Sequence, residues 1–142
     1  MDSEQSRLLT PVNADDLRVA INSGERTFVL FYADWCAPCR HFKGMLEVHA
    51  NELKALFDEK GIRRRLMIDT DENHACETEY GVRGIPTWRV YEGANQAAAG
   101  AGAQRSLGQI EGGSGIILYN HFAARIRAIQ FQGEEAPRQV PA

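Results

Sequence analysis

Two cysteines separated by two residues, Cys36 and Cys39, are the residues of this chain best suited to chemistry. A thiolate attacks a disulfide, and a second thiol about one helical turn away can attack the mixed disulfide that results. A Cys-x-x-Cys pair can therefore cycle between dithiol and disulfide. The same spacing also supplies half of a zinc site, which then needs two further ligands. His41 and His74 are isolated candidates, Cys76 stands alone, and no second Cys-x-x-Cys or His-x-x-His occurs. Redox is the better-supported chemistry, and no metal is expected.

Position separates the two thiols. Residues 27–32 form a continuous β-branched, aliphatic and aromatic run, the pattern of a central strand covered on both faces. Asp34 and Trp35 then make a turn and Cys36 opens a helix, with Pro38 in the first turn, where a missing N–H costs little. Unpaired N–H groups and the positive end of the helix dipole stabilise an anion at such a point. Cys36 is thus expected to be the nucleophile and Cys39 the resolving thiol.

The other elements must hold that junction. Residues 7–10 read as a short first strand, and Asn13 as the N-cap of a helix with Asp15 and Asp16 in its first turn and Leu17, Ala20 and Ile21 buried. After Cys36, the spacing of Phe42, Met45, Leu46, His49, Leu53, Leu56 and Phe57 predicts one long helix, ended by Lys60 and Gly61. A strand over 66–68, a small helix to Tyr80 and a strand over 87–91 follow. Residues 93–106 are rich in alanine and glycine without an apolar anchor and read as a flexible insertion, with the return strand at 107–111. A last helix carries Leu118, Phe122, Ile126 and Ile129 on one face. This order predicts an α/β three-layer sandwich with a central mixed β-sheet flanked by helices. A single domain over 1–132 with a disordered tail over 133–142 is expected.

Composition adds exclusions. The 142 residues are 44% hydrophobic and 25% charged, as in ordinary globular proteins, with no fibrous or membrane signature. A net charge of -3 offers no general basic field for nucleic acid, and Arg63, Arg64 and Arg65 read as a solvated loop or strand edge. The acidic N-terminus has no apolar segment of a secretory signal, and three cysteines are an odd number. One working pair in a reducing, cytoplasmic compartment is expected, with Cys76 a semi-exposed bystander.

The segments YADWCAPCR at 32–40 and YGVRGIPT at 80–87 occur in the order found in the thioredoxin family, which the chain resembles over about residues 7–130. The resemblance implies a dithiol-disulfide oxidoreductase without a cofactor. It also implies a cis bond between Ile85 and Pro86 that faces the cysteines and aims the Ile85 backbone at an extended substrate segment. Trp35, Ala37, Pro38, Gly84, Ile85, Pro86 and Gly112 would form the shallow substrate groove, with Gly113 beside Gly112. The implied partners are protein disulfide substrates and a thioredoxin-reductase-like electron donor. Nucleic acid and membrane are not expected as partners, and the chain is expected to be a monomer.

Four departures from the family pattern stand out. Leu30 replaces the buried aspartate usual behind the second cysteine, and Met67, or alternatively Arg65, replaces the lysine paired with it. Gly44 replaces a helix-kinking proline, and residues 94–104 replace a tight hairpin. Losing both members of a buried ion pair is physically consistent, because one alone strands a charge. Slower deprotonation of Cys39 is the expected consequence. Two rivals accompany the reductase reading: an oxidant or isomerase, and a binding module that uses the groove without the cysteines.

Overall fold

The computed structural model describes residues 8–101 and 114–132. The elements run β1 (Thr10–Pro11), α1 (Ala14–Asn22), β2 (Arg26–Tyr32), α2 (Ala37–Val48), α3 (Ala50–Glu59), β3 (Ile62–Asp69), α4 (Ala75–Glu79), β4 (Thr87–Glu92), β5 (Asn95–Ala101) and α5 (Ser114–Arg127). The sheet order is β1-β3-β2-β4-β5. β3 is parallel to β1 and β2, whereas β4 runs antiparallel to β2 and β5 to β4, so the sheet is mixed, as expected.

β2 is central because its side chains feed both faces. Phe28, Leu30 and Tyr32 enter one apolar cluster with Phe42, Leu46, Phe57 and Phe122, whereas Val29 and Phe31 enter a second with Leu17, Ile21, Ile68 and Cys76. The period-two alternation of a strand thus splits one apolar run between two helical layers. Phe122 is the hub of the first layer, with edge-on ring contacts to Phe28, Phe42 and Trp88 at centroid separations of 5.3–5.8 Å. On the other layer Asn13 caps α1, its side chain accepting from the Asp16 N–H at 2.8 Å.

Several boundaries differ from the sequence expectation. The single long helix is two, α2 and α3, and the break falls at His49 (φ -106°, ψ 27°), whose ring stacks on Tyr119 at 4.0 Å. Gly44 lies inside the continuous helix α2. β3 begins at Ile62, not at 66, so the three arginines lie on a strand: pairing with β2 orders a stretch whose side chains show no apolar pattern. The first strand is Thr10–Pro11, while Leu8 and Leu9 ahead of it are buried.

The largest correction concerns the alanine-rich stretch. Residues 95–101 are not a flexible extension but strand β5, joined to β4 through a two-residue loop at Gly93 and Ala94. Their small side chains suit a tight site: a Cβ built on Gly100 would lie 2.7 Å from the Trp88 indole. Backbone pairing with β4, which a reading of hydrophobic pattern does not register, orders the stretch, and close packing against Trp88 requires glycine at position 100. The expected return strand at 107–111 and the tail at 133–142 lie outside the described residues.

Candidate redox site

The site forms where β2 ends. The Cys36 N–H donates to the Ala33 carbonyl at 3.2 Å, closing the turn through Asp34 and Trp35. Cys36 is the N-cap of α2, with extended backbone (φ -85°, ψ 110°). Its sulfur accepts a hydrogen bond from the Cys39 backbone N–H at 3.2 Å. A sulfur at an N-cap meets both an orphan N–H and the positive end of the helix, which lowers the free energy of a thiolate there.

Cys36 and Cys39 are joined by a disulfide with their Cα atoms 5.2 Å apart. Cys36 retains 4% of its surface exposed, whereas Cys39 has none. Of the two residues, only Cys36 reaches the surface. Among the described residues no group of three or more His, Cys, Asp or Glu side chains is arranged to hold a metal ion.

The loop before β4 supplies the opposite wall. The bond between Ile85 and Pro86 is cis. The Ile85 carbonyl oxygen lies 3.9 Å from Cys36 Sγ. Pro86 is buried, Ile85 half-buried and Gly84 exposed, with open space where a Cβ would stand. Ala37 and Pro38 are exposed at the start of α2. Trp35 is 68% exposed, and its indole N–H donates to the Asp71 carboxylate at 2.6 Å. Asp71 is a site neighbour that the sequence presents only as part of an acidic turn. Gly112, with Gly113, lies outside the described residues.

Behind the cysteines, β2 and β3 place Leu30 directly beside Met67, while Arg65 sits beside Phe28. Met67 is therefore the neighbour of Leu30. Leu30 is fully buried in the cluster that holds both cysteines, and Met67 packs against it. Among the described residues no ion pair stands at this place. Around the rim, the Tyr32 hydroxyl is held above its ordinary pKa by burial first and then by Asp69, Asp34 and Glu72. The Lys43 ammonium lies 4.4 Å from the centre of the Tyr32 ring. Cys76, expected to be semi-exposed, is fully buried, and burial first and then Glu77 push its thiol up to about 11. A fully buried thiol held in its neutral form is a poor nucleophile.

Residues 9–111 match the protein family described as Thioredoxin. The chain belongs to the thioredoxin family. Among curated relatives, a thioredoxin of Rhodospirillum rubrum is 40% identical over 73 residues, covering 51% of this chain and 64% of that protein. The protein disulfide-isomerase erp38 of Neurospora crassa is 33% identical over 88 residues, covering 62% of this chain and 22% of that protein. The chain thus matches less than two thirds of the length of either relative. A solved mutant thioredoxin from Halobacterium salinarum superposes with a TM-score of 0.56 at 23% identity, covering 87% of this chain and 96% of that one, a likeness of fold. Within this thioredoxin-family chain the Cys-x-x-Cys pair is a redox-capable disulfide on a thioredoxin fold. No helix among the described residues is long and apolar enough to cross a membrane.

Proposed function

We propose that this protein is a thiol-disulfide oxidoreductase that reduces protein disulfides through Cys36 and Cys39. The observation that supports it best is the asymmetry of the pair: Cys36 Sγ accepts a backbone N–H at a helix start and the residue keeps some exposed surface, whereas Cys39 is fully enclosed. In the reduced protein the Cys36 thiolate attacks one sulfur of a substrate disulfide. A Cys36–substrate bond forms and the other substrate sulfur leaves as a thiolate. Cys39, deprotonated, then attacks Cys36 Sγ, the mixed disulfide breaks, and the second substrate sulfur leaves. Two electrons pass to the substrate and the Cys36–Cys39 disulfide remains, to be reduced by an external dithiol donor such as a thioredoxin-reductase-like enzyme.

Trp35, Ala37, Pro38, Gly84, Ile85 and Pro86 act in this reading as the walls that receive an extended substrate segment, which pairs with the Ile85 backbone. The cytoplasm, a monomeric state and no bound cofactor fit the reading. The likeness to a protein disulfide-isomerase supports a second direction, oxidation or isomerisation, on the same pair.

Insulin reduction coupled to thioredoxin reductase and NADPH, with a measured reduction potential, tests the proposal. Turnover with a potential near about -270 mV supports the reductase, and one near about -180 mV supports the isomerase. Cys36→Ser abolishes turnover, while Cys39→Ser arrests the mixed disulfide on Cys36. Cellular function that survives Cys36→Ser overturns both in favour of a binding module.

A further inference from the structure

β3 is paired along its length with β2 on one side, but on the other β1 covers only Leu66 and Met67. Ahead of β1 the chain turns away and buries Leu8 and Leu9 in the cluster beneath α2. Residues 62–65 therefore have no strand beside them on that side among the described residues. Arg63 and Arg64 are exposed there and Arg65 is half-buried. All three line an open groove of about 450 Å³ that runs between this edge and α1, with Val12, Val19 and Ala20 on its apolar side. Val19 is 67% exposed. Asp16 also lines the groove, and Arg64 Nε is held by Glu25 at 2.7 Å. Arg63 and Arg65 make no ion pair among the described residues.

We propose that this groove binds an extended acidic segment of a partner protein, laid along the open edge of β3 as an added strand. Its carboxylates meet Arg63 and Arg65, and its alternate apolar side chains lie against Val12 and Val19. Unpaired strand edges template such pairing, and guanidinium groups hold carboxylates through charge-assisted hydrogen bonds. Arginines at an edge, and the register shift opposite Arg26 and Thr27, also discourage two edges from pairing. That role accounts for the charge but not for an exposed valine and an open groove beside it. A second copy of this chain paired through the same edge is disfavoured as occupant, because it would bring arginine edge to arginine edge. The groove flanks the first half of β3, roughly 13 Å along the strand from the end that borders the cysteines, so an occupant leaves Cys36 reachable.

The test uses the full chain and a fluorescein-labelled alternating Glu-Val peptide, about eight residues long. Saturable binding that weakens with salt is expected, and Arg63→Glu/Arg65→Glu should weaken it at least about tenfold. Val19→Asp should weaken it as well, and neither variant should change insulin reduction, which also reports an intact fold. An alternating Lys-Val peptide should not bind. Several results would overturn the proposal: binding unaffected by the variants, equal binding of the Lys-Val peptide, preference for an oligothymidylate or for phosphatidylserine vesicles over the Glu-Val peptide, or dimerisation through the same arginines. Because insulin reduction is read separately, the groove and the redox reading stand or fall independently.

Discussion

Leu30 and Met67 are neighbours on adjacent parallel strands, fully buried and partly buried respectively, at the place where the family pattern has a carboxylate and a lysine. Two apolar groups here leave neither charge stranded, and Cys39 has no acid of β2 behind it to take its proton. Leu30→Asp should destabilise the protein by about 3 kcal/mol in urea unfolding, and Leu30→Asp/Met67→Lys should recover part of that loss. Stopped-flow measurement of mixed-disulfide resolution should show both variants faster than the parent. Desolvation raises the pKa of the new carboxyl, so the gain should grow with pH as it ionises. An unchanged or slower rate refutes a proton-transfer deficit in the parent.

Gly100 and Trp88 are fitted to each other across β4 and β5. A methyl at position 100 would stand 2.7 Å from the indole, and Trp88 is wedged against Phe28 and Phe122 and has little room to retreat. Gly100→Ala should therefore cost about 1–3 kcal/mol in urea unfolding, with no loss of insulin reduction per folded molecule.

Gly44 presents the opposite case. It lies within helix α2, its φ is not in the left-handed region, and a Cβ there meets nothing within 4 Å. Replacing Gly by Ala at such a site removes chain entropy from the unfolded state without a clash. Gly44→Ala should raise stability by about 0.5–1 kcal/mol, read as a shift in urea midpoint at constant slope.

Cys76 should make stability fall in alkali. Its folded pKa of about 11 lies above the ordinary 9.0, so burial favours the neutral thiol. That contribution is complete below pH 9 and is lost as pH rises toward 11, by about 2–3 kcal/mol. Cys76→Ala should lack this part of the decline. In the reduced protein at pH 8, a thiol reagent should modify Cys36 promptly and reach Cys76 only after denaturant is added.

The chain's local order of elements and the polarity of its redox pair are written in residue types and spacing. The run at 27–32 has the composition of a strand covered on both faces, and a Cys-x-x-Cys with Pro38 inside it suits a helix start with one sulfur leading. Caps and buried stripes such as Asn13 with Leu17 and Ile21 are equally local and equally legible. What tertiary structure decided is where such patterns fail. The alanine-rich residues of β5 and the arginines of β3 are ordered by backbone pairing with β4 and β2, and Gly100 stands where a Cβ would meet the Trp88 indole. His49 interrupts an otherwise continuous helical stripe while its ring lies on Tyr119, far along the chain. The hydrogen bond from Trp35 to Asp71, the neighbour relation of Leu30 and Met67, and the burial of Cys76 are likewise contacts between distant segments. Periodicity and propensity act over a few residues, whereas register, steric fit and burial exist only once the sheet is assembled.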